Sequence, residues 1–254
     1  MFARPTGFVT LLSDFGLSDP YVGLLKGALL RASPKVQVID LCHGVPPQQV
    51  AAGAFVWGAA VARFPAGTVH VGVVDPGVGT SRRLLAVAAE QCYWIGPDNG
   101  LASRVLQTAG DAEVRAIDVE HLGLQPESRT FHGRDLMAPV AAWLASGRYG
   151  FTALGPRVSD PALLAPSAAT PHVLWVDHYG NLVSNVPAAA LDGVHAVVVG
   201  AQQVPLVGTY QDVAAGALLA YVGSFGLLEI ARNQGSAAAT LGAGTGATIR
   251  LLRP

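Results

Sequence analysis

Three apolar, β-rich runs open the chain, at residues 8–12, 36–41 and 68–74, and the stretches between them carry apolar residues at helical spacing. This alternation predicts βαβ units around a parallel sheet. The first helix is expected at Pro20, with Ser18 or Asp19 accepting its free N–H groups and Tyr21, Leu24, Leu25, Ala28 and Leu29 forming its apolar stripe. A second helix is predicted over residues 48–64, two more strands near 84–89 and 114–118, and a further helix from about 135 to 145. Pro156, Pro161, Pro166 and Pro171, spaced by Ser, Ala and Asp, then interrupt both periodicities. They place a domain boundary near residue 165, giving an α/β domain over 1–165 and a smaller domain over 166–254. In the latter the runs 172–176, 196–199, 203–207 and 248–252 are short and punctuated by glycine, which predicts a mainly antiparallel β domain.

Composition narrows the classes of function. The 254 residues are 51% hydrophobic and 13% charged, with a formal net charge of −1, so no polyanion-binding surface is expected and nucleic acid is excluded as a partner. The longest apolar run, 51–62, is well short of the roughly 20 residues that span a bilayer and contains Gly53 and Gly58, so no membrane segment is expected. The N-terminus lacks a cationic segment leading into an apolar core, and a cytoplasmic location is expected. Cys42 and Cys92 each fall in a strand-like stretch and are expected as reduced core thiols.

Ligands of open parallel sheets bind beyond the carboxyl ends of the strands, which makes Asp14, Asp40 and Asp75 informative. A carboxylate so placed can accept from both hydroxyls of a ribose, although Asp before Gly or Pro also closes ordinary turns. A second polar group, Thr130-Phe131-His132-Gly133-Arg134-Asp135, precedes an apolar helix, and offers His132 as a proton carrier and Asp135 as ligand contact or helix cap. A third, Asp177-His178-Tyr179-Gly180-Asn181, reads as a tight turn in which Asn181 presents both a donor and an acceptor. The last, residues 223–235, joins Ser224 to an apolar run and is compatible with anion binding at a helix start or with plain capping. No His-x-x-x-His, Cys-x-x-Cys or His-x-Asp spacing occurs, and neither does a six-residue glycine fingerprint nor a Walker-type loop. A catalytic metal is therefore not expected, and these patterns alone support a small-molecule site between two domains.

Taken together, Ser13-Asp14-Phe15-Gly16 with Asp19-Pro20-Tyr21-Val22-Gly23, Asp75-Pro76-Gly77-Val78-Gly79-Thr80, Gly96-Pro97-Asp98-Asn99-Gly100, Phe131-His132-Gly133-Arg134-Asp135 and the two C-terminal motifs resemble the S-adenosyl-L-methionine (SAM) hydroxide adenosyltransferase family. That family is a sibling of the fluorinases and chlorinases. The resemblance runs in order over almost the whole chain. It implies a Rossmann-like N-terminal α/β domain and a β-barrel-like C-terminal domain, assembled as a homotrimer with active sites at subunit interfaces. It also implies hydrolysis of SAM to adenosine and L-methionine, with SAM as substrate and no further cofactor.

Carried over by motif, Asp75, Arg82 and His132 hold the attacking water, with Arg82 stabilising the carboxylate and hydroxide character. Asp14 takes the ribose diol, and Asp19 and Asp177 take the ammonium of the methionine part. Ser224 receives its carboxylate with Phe225 alongside, Asn181 reads the adenine edge, Tyr210 stacks on the ring, and the segment from Arg232 to Gln234 closes that end. The nearest rival is a halogenase on the same fold. Asp75, standing where fluorinases have Tyr, opposes it because a carboxylate repels a halide, and the extra N-terminal loop of fluorinases is missing. A non-catalytic adenosyl-ligand sensor would need the binding residues but not the trio, and a metallohydrolase ranks lower still.

Overall fold

The computed structural model describes residues 2–165 and 170–254, so Pro166 of the expected crossing lies outside the described residues. The chain divides into two compact units, Met1–Leu164 and Ala165–Pro254.

The first unit is built on a six-stranded sheet. Its elements run β1 (Phe8–Ser13), α1 (Tyr21–Ala32), β2 (Gln37–Cys42), α2 (Val50–Gly58), β3 (Val69–Val73), β4 (Leu84–Ala89), β5 (Cys92–Pro97), α3 (Ser103–Thr108), β6 (Glu113–Ala116) and α4 (Ala138–Ala145), with a turn of π-helix over Gly133–Met137 leading into α4. The strand order is β2-β1-β3-β5-β4-β6. The β1, β2, β3 and β5 pairings are parallel, whereas β4 runs antiparallel to both β5 and β6. The sheet is therefore mixed, not all-parallel as the pattern predicted. The cause is local: Glu90 and Gln91 both take positive φ, 48° and 61°, which makes the two-residue turn that folds β5 directly back on β4. Lacking the usual Asn-Gly signal, that turn and β5 itself were not legible in the pattern.

Alternate strand residues pack on opposite faces. Val9, Leu11, Val71, Val73 and Ile95 join Leu25, Leu29, Val140 and Leu144 of α1 and α4 in one core. On the other face Gly72 and Gly96 receive the ring of Trp57 from α2; a Cβ on Gly72 would lie 2.9 Å from it. Three helix expectations are corrected. The N-cap of α1 is Pro20 itself, with no side-chain hydrogen bond from Ser18 or Asp19. Its buried stripe is Val22, Leu25, Ala28 and Leu29, while Tyr21 and Leu24 are exposed. The helix predicted over 48–64 stops at Gly58, where Arg104 packs against the missing side chain.

The second unit holds β7 (Val173–Val176), β8 (Leu182–Pro187), β9 (Ala196–Val199), β10 (Gln202–Pro205), β11 (Leu218–Val222), β12 (Leu227–Arg232), α5 (Ala237–Leu241) and β13 (Ile249–Leu252). They form two antiparallel sheets, β10-β9-β13 and β11-β12-β8-β7. Both sheets are open; isolated bridges join their edges at Leu206 with Ala220 and at His172 with Thr248, so the barrel-like expectation reduces to two sheets around a shared core of Val173, Leu182, Val197, Leu228, Ile230 and Ile249. The stretch 223–235 is a hairpin turn followed by β12, not a helix start. Glycine decides this: Gly226 at φ 69° turns the chain, and the period-two strand beyond it buries Leu228 and Ile230.

Candidate active site

In the first unit the adjacent parallel strands β1 and β3 end together, Ser13 opposite Val73. Asp14 and Asp75 therefore leave neighbouring carboxyl ends and line the same hollow of about 280 Å³, with Phe15, Gln48, Thr130, Phe131 and His132. Asp40, the third expected carboxylate, is not there; it sits within β2 and bonds Lys26 and His43. Asp19 is exposed and outside that lining.

Arg82 joins two of the expected residues. Its Nε donates to both oxygens of Asp75 at 2.7 and 2.9 Å, and its Nη2 donates to Asp75 Oδ2 as well. The same Nη2 lies 3.1 Å from His132 Nδ1. The side chains of Arg82 and Asp75 are 9% and 5% exposed, so this ion pair is largely removed from water. Because Nη2 can only donate, Nδ1 must accept, which puts the proton of a neutral imidazole on Nε2. Burial and the Arg82 charge both hold His132 below the ordinary histidine value, against a weaker upward pull from Asp75 and Asp135. Gly133 lets the His132 segment approach β3: a Cβ there would lie 2.9 Å from Val73 Cγ1. Asp135 lies outside the lining of the hollow and is not the cap of the helical turn, whose N-cap is His132. It accepts from Arg134 Nε at 2.6 Å and from Ser128 N at 2.8 Å, fixing the loop before His132.

Asp14 keeps capacity for a ligand. One lone pair of Oδ2 is taken by Gln48 N at 2.8 Å, leaving Oδ1 and the rest of Oδ2.

In the second unit a cleft of about 890 Å³ gathers Asp177, Asn181, Tyr210, Ser224, Arg232 and Gln234, six of the residues expected there. Phe225 follows Ser224 in the β11–β12 turn and is 46% exposed. Asp177 closes the β7–β8 turn: Oδ1 accepts from Tyr179 N and Asn181 N at 2.9 and 2.8 Å, and Oδ2 accepts from Asn181 Nδ2 at 2.8 Å. One lone pair of Asp177 remains, and Asn181 keeps its carbonyl and one N–H. Residues expected to serve opposite ends of the substrate thus share one corner of the cleft.

The sequence reasoning missed Tyr221 and Glu229, which line this cleft. Tyr221 donates to Glu229 Oε2 at 2.7 Å and lies 3.2 Å from the Tyr210 hydroxyl, so the three form a chain Tyr210 to Tyr221 to Glu229. Glu229 is 5% exposed, and burial pushes its carboxyl above the usual range, with Asp177 adding to the effect. A signal was available: Glu229 is a lone acid in the apolar run Leu227-Leu228-Glu229-Ile230-Ala231. Among the described residues no helix is long and apolar enough to cross a membrane, and no group of three His, Cys, Asp or Glu is placed to hold a metal ion.

Residues 9–155 match the model of the SAM hydroxide adenosyltransferase N-terminal domain, and residues 171–250 match that of its C-terminal domain. An (R)-S-adenosyl-L-methionine hydrolase of Thermus thermophilus is 42% identical over 98% of this chain and 100% of its own. A fluorinase of Nocardia brasiliensis is more distant, 29% identical over 91% of each chain. A solved structure of a conserved, uncharacterized protein from Thermotoga maritima superposes with a TM-score of 0.90 at 34% identity, covering 96% of this chain and 100% of that one.

Proposed function

The chain belongs to the SAM hydroxide adenosyltransferase family, and from that premise we propose that it hydrolyses S-adenosyl-L-methionine to adenosine and L-methionine, with water attacking C5′. The observation that carries this reading is the Asp75–Arg82–His132 arrangement. With Arg82 on Nδ1, His132 turns an Nε2–H outward that donates to the water oxygen. Asp75 is the acceptor for the water's proton, since Arg82 occupies Oδ2 twice but leaves a lone pair on Oδ1. The C5′–O bond forms as the C5′–S bond breaks, the sulfonium leaves as a neutral thioether, and the proton passes from Asp75 to solvent. No acid is required for the leaving group. In-line placement of the water supplies much of the acceleration, worth roughly 7–11 kcal/mol in favourable cases.

Asp14, with free acceptor sites beside Asp75, holds the ribose diol. Asp177 and Ser224 receive the methionine ammonium and carboxylate, with Asp19 assisting at the ammonium. Asn181, Tyr210, Phe225 and the Arg232–Gln234 segment enclose the remainder. The water-holding groups lie in the hollow of the first unit and most binding groups in the cleft of the second. That partition supports a homotrimer in which one subunit's hollow is completed by its neighbour's cleft. It also supports a Rossmann-like reading of the first unit, whose hollow opens at strand carboxyl ends.

The test is incubation with SAM in ¹⁸O-labelled water, without and with halide, followed by mass spectrometry of the nucleoside. Labelled adenosine without halide, lost in Asp75→Ala, is the expected result. 5′-Halo-adenosine formed only with halide would overturn hydrolysis in favour of halogenation, and tight binding without product would leave a sensor.

A further inference from the structure

A chain of hydrogen bonds, buried at Ser13 and His43 and reaching solvent at Asp40 and Lys26, lies behind Asp14 and has no part in the chemistry above. Ser13 Oγ is 2.7 Å from His43 Nδ1, His43 Nε2 is 3.0 Å from Asp40 Oδ1, and Lys26 Nζ donates to Asp40 Oδ2 at 2.6 Å. These are the residue types of a nucleophilic triad, but Ser13 is fully buried and His43 is 5% exposed, so no substrate carbonyl reaches the hydroxyl. Its direction follows from the donors. Asp40 accepts from Nε2–H, which leaves Nδ1 to accept the Ser13 hydroxyl proton. Ser13 Oγ in turn accepts from Phe15 N at 3.3 Å, and Gly16 N donates to the His43 carbonyl at 2.8 Å. The two contacts clamp the backbone on the C-terminal side of Asp14, while Gln48 N holds one of its carboxylate oxygens.

We propose that His43, together with Ser13 and Asp40, is a positioning residue for the reaction proposed above: it sets the Asp14 carboxylate for both ribose hydroxyls by fixing the Ser13–Gly16 turn. The inference rests on the reading of Asp14 as the ribose acceptor. The geometry suits it. The turn has no regular secondary structure of its own to hold it, and Gly16 has φ 65°, so its shape depends on the Ser13 side-chain bond, which the His43 ring orients, and on the backbone bond to His43.

The test compares binding of adenosine and of 2′-deoxyadenosine by isothermal titration in wild type, Asp14→Ala, Ser13→Ala, His43→Asn and the Ser13→Ala/Asp14→Ala double variant. Hydrogen bonds to a charged carboxylate predict a preference for adenosine of about tenfold or more in the wild type. Asp14→Ala abolishes that preference. Ser13→Ala, which removes a single oxygen, and His43→Asn each reduce it at least about threefold, and the double variant discriminates no less than Asp14→Ala alone, because coupled sites are not additive. In turnover, Ser13→Ala raises KM for SAM while kcat stays within about twofold, the split expected of lost uniform binding. Should Asp14→Ala lose the preference while Ser13→Ala and His43→Asn keep it, the positioning inference is overturned and the ribose reading stands. Should Asp14→Ala itself keep the preference, the ribose reading falls and the inference with it.

Discussion

Asp75 and His132 are separated by 57 positions in the chain and meet only through Arg82, whose guanidinium bonds both. In the proposed reaction Arg82 decides their roles, because a donor on Nδ1 makes His132 a donor at Nε2 and leaves Asp75 to act as base. A pH dependence follows with a definite sign. Burial and Arg82 lower the His132 pKa, so the ring takes its proton at more acid pH than an ordinary histidine. Protonation would place an N–H on Nδ1 against the Arg82 N–H and break the contact. The acid limb of kcat/KM is therefore expected to be centred below pH 6.5; an acid limb centred at or above pH 6.5 contradicts this arrangement. At this scale the sequence was most informative about residues next to strand ends and glycines, such as Asp14, Asp75, His132 and Asn181. Tyr221 and Glu229 were illegible by spacing because a strand places them in the cleft, and only the oddity of an acid amid apolar neighbours pointed to Glu229.

Elements form where local pattern and packing agree, and the exceptions have identifiable causes. The β4–β5 hairpin reverses one strand of an otherwise parallel sheet through a turn of two non-glycine residues at positive φ. Strands β8, β11 and β12 were not predicted, since their pairing runs over turns such as 177–181 and 223–226 that look like loop or capping signals in isolation. The α2 helix packs on the sheet because Gly72 and Gly96 make room for Trp57. Gly72→Ala puts a methyl 2.9 Å from both the Trp57 ring and Leu101 Cδ2, with backbone strands unable to retreat. A loss of about 1–3 kcal/mol in urea unfolding is expected, with turnover per folded site retained. Unchanged stability would mean that Trp57 re-seats without strain.

On the scale of the whole molecule, the surface explains why the α1 stripe was misjudged. Tyr21 and Leu24 continue the apolar pattern of a core helix yet are 48% and 46% exposed, beside Leu17 at 76%. The proposed homotrimer would offer these side chains a neighbour to bury them. If that homotrimer forms, Leu24→Lys is expected to convert it to monomers in sedimentation velocity, with SAM hydrolysis lost. A trimer that persists, or a monomer that remains active, would argue against sites completed between subunits. The sequence by itself determined the α/β and β divisions of the chain, most strand and helix identities in the first unit, and the residue types at the carboxyl ends of β1 and β3, because each follows from periodicity and turn chemistry within a few positions. Tertiary structure alone decided the antiparallel β4, the two open sheets of the second unit, the place of Asp40 with His43 rather than in the hollow, and the proton roles within the Asp75–Arg82–His132 group. These depend on which distant segments meet, and a hydrogen bond's donor and acceptor are settled only when both partners are in place.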